Sequence, residues 1–192
     1  MLKLNSHQLR KSSPKQGSRH QQKSAKNPLI IVLDNVVDTY NIGSFFRLAD
    51  ALNVKKLCLC GPVVTPPNLK IHRASIGTWK WVTWEQYPDT ITCLKKLKSE
   101  NYHLIACEQN IKSVDYRKAK YKFPLAIVAG SETNGIQPET LKLCDQIIEI
   151  PLYGVNKSLN VLLATAVITF ESIKTLRQNT YSTVTRHTSS ST

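Results

Sequence analysis

From Pro28 onward the chain alternates short apolar runs with stretches of helical periodicity, and this alternation restricts the fold more than any other feature. PLIIVL is rich in β-branched residues; polar DNVVDTYN follows it, then IGSFFRLADALN, whose apolar residues recur at helical spacing. KKLCLC reads as a second strand, GPVVTPPNLK as a loop broken by prolines, and TWKWVTW as an alternating third strand. PDTITCLKKLKSEN is patterned as an amphipathic helix ending in a Lys-rich turn, where cations suit the helix dipole. YHLIAC, PLAIVAG and QIIEI follow as strands, with IQPETLKLC a short helix whose Pro138 suits a first turn. Strands alternating with helices predict an α/β fold, a doubly wound and mostly parallel sheet covered on both faces.

The 192 residues suit one domain with a substantial core. No uninterrupted apolar stretch approaches the length of a spanning helix, and the N-terminus lacks the apolar region of a secretory signal. A cytoplasmic protein without a membrane segment is expected. The five cysteines are odd in number and contain no C-x-x-C, so they read as reduced thiols of the core.

The net charge of +13 is unevenly placed. Residues 1–27 carry seven Lys or Arg and no acid, and residues 174–192 carry three more, again with no acid. Both ends are polar and poor in apolar residues, which predicts disordered tails at 1–27 and 177–192 flanking a folded domain at 28–176. Such tails suit a polyanion, because each phosphate neutralised releases condensed counterions. A solubilising tail is the alternative.

Ligands of such sheets gather at the carboxyl ends of strands, which directs attention to NIGSFFR, ACEQN, GSETNGI and IPLYGVNKSLN. GSETNG lacks both the G-x-G-x-x-G spacing and a P-loop Lys, so the usual nucleotide sites are poorly supported. No His and acidic residues cluster at ligand spacing, which argues against a catalytic metal.

NIGSFFR, AGSETNGI and IPLYGVNKSLNVLLATAVITFE, in this order, resemble the three signature motifs of the SpoU/TrmH family of RNA 2′-O-ribose methyltransferases, within the SPOUT superfamily. The resemblance runs from about Pro28 to Leu176 and includes RASIGTWKW. It implies a C-terminal trefoil knot, S-adenosyl-L-methionine bound bent within that knot, and a homodimer with active sites near the subunit interface. By similarity, cofactor contacts fall at Cys107, Gly130, Ile150 and Leu159. Gly130 and Gly154 would let the backbone approach the ligand without a Cβ in the way.

The implied reaction moves a methyl group in line from a sulfonium to a ribose 2′-hydroxyl, and the resemblance assigns catalytic residues Arg47, Asn41, Glu132, Ser158 and Asn160. A guanidinium is a poor proton acceptor at neutral pH. Arg47 is therefore expected to hold the adjacent phosphate and stabilise developing alkoxide charge. Asn41 and Asn160 each donate and accept, which suits orienting ribose or backbone. Glu132 is expected to hold Arg47 or a dimer partner, unless it is an ordinary surface Glu. Lys157 is a phosphate contact or a solvated loop charge.

Val161 to Phe170 is apolar round most of its circumference, which predicts a helix buried in the knot and dimer, with Ser158 and Asn160 in its first turn. The residues after Glu132, Thr133 and Asn134, depart from the Gly or basic residue common among relatives. The substrate class lies between tRNA and rRNA, with a compact tRNA favoured and with Arg73, Lys80 and the Trp-rich segment near it. Trp79, Trp81 and Trp84 read as base-stacking or packing residues. The alternatives are a catalytically silent RNA-binding or ribosome-assembly protein on this fold, which would tolerate loss of Arg47 or Asn160, and a small-molecule enzyme, which would need a glycine-rich fingerprint. Neither expectation is met.

Overall fold

The computed structural model describes residues 5–12 and 25–188. Its strands are β1 (Asn27–Asp34), β2 (Val54–Cys60), β3 (Trp84–Tyr87), β4 (His103–Cys107), β5 (Val114–Asp115), β6 (Leu125–Gly130) and β7 (Gln146–Glu149). They form one seven-stranded sheet in the order β3-β2-β1-β6-β4-β7-β5, and every pair is parallel. Its helices are α1 (Ser6–Lys11), α2 (Thr39–Ala51), α3 (Leu69–Ser75), α4 (Thr90–Ser99), α5 (Pro138–Leu143) and α6 (Val161–Thr188).

The central strands are buried on both faces because alternate residues enter different cores. Leu29, Ile31 and Leu33 of β1 pack with Phe45 and Phe46 of α2 and Ile168 of α6. Ile30 and Val32 pack on the other face with Leu94 and Leu97 of α4. Each fully buried Leu, Ile or Phe contributes about 1.5–3 kcal/mol, so these two layers dominate the stability. Polar caps set the helix starts: the Asp38, Asn68 and Asp89 side chains accept N–H bonds from the first turns of α2, α3 and α4. Three of the five cysteines, Cys58, Cys60 and Cys93, are buried in the second core as free thiols.

TWKWVTW is not a strand. Ile76 (φ 49°) and Gly77 (φ 90°) adopt left-handed conformations that end α3, a helix the sequence pattern misses, and turn the chain into a short 3-10 segment at Thr78–Lys80. Strand pairing begins only at Trp84, opposite Leu57. The tryptophans are committed to packing: Trp81 Nε1 donates to Asp50 at 2.8 Å, Trp79 Nε1 to His72 at 3.1 Å, and Trp84 meets Phe46 edge-on.

Parts of both expected tails are helical. The Asn5 side chain and Gln8 cap each other's backbone N–H to start α1, Leu9 packs on the first core, and the Ser12 carbonyl accepts a bond from Lys80 Nζ. At the other end, α6 contains no Gly or Pro and runs past the expected boundary at 176 to Thr188. The rest of the expected tails, residues 1–4, 13–24 and 189–192, lies outside the described residues. Among the described residues no helix is long and apolar enough to cross a membrane.

Candidate active site

Sheet register brings the ends of β1, β6, β4 and β7 together, with Asp34 beside Gly130 and Cys107 beside both Ala129 and Ile148. The loops leaving these strands enclose a cavity of about 470 Å³. Segments 107–109, 130–135 and 149–164 supply its walls.

The loop after β6 is rigidly built. The Ser131 and Gly135 backbones bond each other at 3.2 and 2.9 Å, and Ser131 Oγ accepts the N–H of Asn134. Thr133 and Asn134 thus form the tip of a closed loop. Glu108 braces it, accepting the Ile136 N–H at 2.8 Å and the Gln109 N–H at 2.9 Å. The need for glycine at 130 arises here: a Cβ would stand 2.4 Å from the Gly135 carbonyl carbon and 2.5 Å from the Ile136 nitrogen. Gly130 therefore permits close contact between backbones. At Gly154 a Cβ would meet nothing within 4 Å, so no close approach accounts for this glycine within the chain.

Three of the expected catalytic residues form one hydrogen-bonded chain. Asn41, in the first turn of α2, donates from Nδ2 to Glu132 Oε1 at 2.6 Å, and its Oδ1 accepts from Asn160 Nδ2 at 3.4 Å. Asn160 caps α6, its Oδ1 accepting the N–H groups of Leu162 (2.9 Å) and Leu163 (3.3 Å). One side chain starts the last helix and orients the amide of Asn41, while Asn41 fixes the carboxylate. The second oxygen of Glu132 carries no hydrogen bond among the described residues.

Other expectations are corrected. Asn160 is the cap and Ser158 lies in the exposed loop before it, so neither belongs to the first turn. Glu132 is held by Asn41 and makes no ion pair with Arg47. Arg47 is exposed on α2, outside the cavity wall, and makes no hydrogen bond or ion pair among the described residues. It stands about 9 Å further along the helix axis than Asn41, six residues at 1.5 Å each. Helix α6 is not buried all round in the single chain: Thr165, Ile168 and Thr169 face inward, while Leu163, Val167 and Phe170 are exposed. The buried hydroxyls are satisfied by carbonyls one turn back, Thr165 by Val161 and Thr169 by Thr165, both at 2.7 Å.

All four residues expected at the cofactor, Cys107, Gly130, Ile150 and Leu159, line the cavity, together with Lys157. Burial pushes the Cys107 thiol up to about 12, so this thiol is neutral at physiological pH. The lining mixes the apolar Ile150, Leu152, Val161 and Ala164 and the neutral Cys107 with Glu108, Glu132, Glu149 and Lys157, a combination that fits a ligand with a flat apolar ring and a charged centre. The volume suits a nucleoside-sized molecule. Sequence reasoning missed Glu108, Gln109 and Glu149, although the first two lie in the ACEQN strand end that it singled out.

The SpoU rRNA methylase family model matches residues 28–170. This chain belongs to that family. The chain is 32% identical over 145 residues to the tRNA (guanosine(18)-2′-O)-methyltransferase of Aquifex aeolicus, covering 75% of this chain and 68% of that one. It is 30% identical to the 23S rRNA (guanosine-2′-O-)-methyltransferase RlmB of Vibrio parahaemolyticus, covering 78% of this chain but only 60% of that longer protein. The crystal structure of the A. aeolicus TrmH/SpoU tRNA modifying enzyme superposes with a TM-score of 0.76 at 28% identity, over 86% of this chain and 83% of that one. The AdoMet-bound rRNA methyltransferase of Sinorhizobium meliloti superposes with a TM-score of 0.74 at 27% identity, over 88% of this chain and 60% of that one.

Proposed function

We propose that this chain transfers a methyl group from S-adenosyl-L-methionine to a ribose 2′-hydroxyl of structured RNA. The observation that carries the reading is the Glu132–Asn41–Asn160 chain, which ties the three family motifs together at the cavity. Cys107, Gly130, Ile150 and Leu159 would hold the cofactor, which when bound supplies an electrophilic methyl on a sulfonium. Glu132 then has two tasks: its Oε1 is fixed by Asn41, and its free oxygen accepts the hydrogen bond of the 2′-hydroxyl and orients it. Ser158 and Lys157 hold the ribose and neighbouring phosphate. Arg47 binds the adjacent phosphate bidentately and stabilises charge developing on the 2′-oxygen, the proton leaving to that phosphate or to water.

A homodimer completes this site. Arg47 stands outside the cavity of its own chain, and the exposed stripe of Leu163, Val167 and Phe170 at the start of α6 is apolar surface that a second copy would cover. A tRNA substrate is favoured, because the similarity extends over a larger share of the tRNA enzyme than of the longer rRNA enzymes. Such work implies a cytoplasmic protein.

The test is calorimetry with S-adenosylmethionine, followed by incubation of the protein and methyl-labelled cofactor with total tRNA and with ribosomal RNA. Label on one RNA class, at a site resistant to alkaline cleavage, is the expected result. RNA binding without cofactor binding would replace this reading with that of a silent RNA-binding protein.

A further inference from the structure

The opposite edge of the sheet, where the strands begin, holds a second cavity of about 510 Å³. It lies between the C-terminus of α4, the entry to β4 and the turn into β6, and its polar lining includes Lys98, Asn101, His103, Lys122 and Asp145. The carboxylate is already engaged: Asp145 Oδ2 accepts the Leu104 N–H at 2.8 Å, and Lys98 Nζ lies 3.4 Å from Oδ1. Lys122 makes no hydrogen bond or ion pair among the described residues. The buried Nδ1 of His103 has no hydrogen-bond partner among the described residues.

The positive character continues along the edge beyond the cavity. Lys55 Nζ donates to the Tyr102 hydroxyl at 2.7 Å, and Lys26 Nζ donates to Thr83 Oγ1 at 2.7 Å and to the Lys55 carbonyl at 3.4 Å. These partners are neutral, and neither ammonium is ion-paired among the described residues. The other acids near this edge are Glu100, the C-cap of α4, and Glu85 at the start of β3; Glu85 ion-pairs Lys56 at 2.6 Å and Lys96 at 3.3 Å, and both acids act on Lys56 rather than on Lys55 or Lys122. Lys55 enters on β2 and His103 on β4, with β1 and β6 between them, which separates them by about 14 Å at about 4.8 Å per strand. The backbones are that far apart, but the long Lys55 side chain carries its ammonium to the Tyr102 hydroxyl at the cavity rim, so ammonium groups from β2, α4 and the turn into β6 border one polar surface suited to backbone phosphates.

We propose that this amino-terminal edge is a second RNA contact, taking backbone phosphates of the bound RNA through Lys55, Lys98 and Lys122, remote from the site of methyl transfer. The inference rests on the RNA reading above but on none of the residues assigned there. Because it contacts phosphates only, it sets affinity and salt dependence without sequence choice.

The experiment is fluorescence anisotropy with labelled total tRNA across a salt series, on wild type, Lys122→Gln, Lys122→Glu and the Lys55→Gln/Lys98→Gln/Lys122→Gln triple variant, with melting temperatures recorded. The triple variant should bind about tenfold more weakly, and its log–log salt dependence should be shallower by about two to three. Lys122→Glu should lose more than Lys122→Gln, and S-adenosylmethionine calorimetry should be unchanged in all. Wild-type affinity and slope in the folded triple variant would overturn the proposal. So would calorimetric binding of inorganic phosphate that the triple variant loses while RNA affinity holds, since the edge would then serve a free anion. Failure of the methyl-transfer reading is seen separately, as absent cofactor binding in wild type.

Discussion

Two halves of the candidate site differ in how they are held. Asn41, Glu132 and Asn160 are joined to one another by hydrogen bonds and, through Asn160, to the start of a helix, whereas Arg47 and Lys157 make no hydrogen bond or ion pair and the Ser158 hydroxyl no hydrogen bond among the described residues. The first half is organised before any ligand arrives, and orientation prepared in advance lowers the entropic part of a barrier. On the proposed function the second half consists of groups whose partners come from the RNA and a second copy, so their geometry is set on binding.

The largest expected effect concerns the open half. Arg47→Ala should reduce single-turnover methylation by about 10²–10³, the usual cost of removing a donor to developing negative charge, while S-adenosylmethionine affinity and melting temperature stay at wild-type values. Arg47→Lys keeps the charge and loses the fork, so it should recover only part of the rate. A wild-type rate for the Lys variant would sink the bidentate phosphate role.

Gly130→Ala probes the rigid half. The new methyl would meet the backbone of Gly135 and Ile136, which unlike a side-chain end cannot swing aside. A loss of about 1–3 kcal/mol in chemical denaturation is expected, with weaker cofactor binding as the loop shifts. Gly154→Ala, with open space around it, should change neither, and a large effect there would mean that its surroundings are supplied by a partner or ligand.

The difference between the halves also marks what the sequence can convey. Buried parallel strands such as PLIIVL and PLAIVAG are apolar on both faces, so they are legible as continuous runs. TWKWVTW imitates a strand by alternation, but the left-handed Ile76 and Gly77 before it and the bonds from Trp81 to Asp50 and from Trp79 to His72 decide its shape, and these are tertiary facts. The identities of Asn41, Glu132 and Asn160 follow from motif resemblance. Their pairing does not, because it joins residues 91 and 119 positions apart. Glu108 was hidden for the same reason: its partner, the Ile136 N–H, lies 28 residues away.

Asn160 belongs to both descriptions, helix cap and site residue, and substitution can separate them. Asn160→Asp keeps an oxygen for the Leu162 and Leu163 N–H groups and loses the amide that Asn41 accepts, so stability should hold while methylation falls. Asn160→Ala should lose about 1 kcal/mol of stability as well, measured by denaturant titration. Equal stability and equal activity for the two variants would dissolve the distinction between cap and site.

The smallest effect is expected at Ser158. Its side chain is exposed, and its N–H bond to Asn156 at 3.4 Å is long, so Ser158→Ala should stay within about 0.5 kcal/mol of wild-type stability. A hydroxyl that acts only on bound RNA contributes about one hydrogen bond, so kcat/KM should fall by a factor of about three to ten. The decisive comparison is with cofactor affinity in the same variant. If Ser158→Ala weakens S-adenosylmethionine binding as much as it slows methylation, Ser158 is part of the cofactor wall and the locked half of the site extends through the whole 156–160 loop. If cofactor affinity is untouched, the boundary between the prepared and the recruited half runs between Ser158 and Asn160.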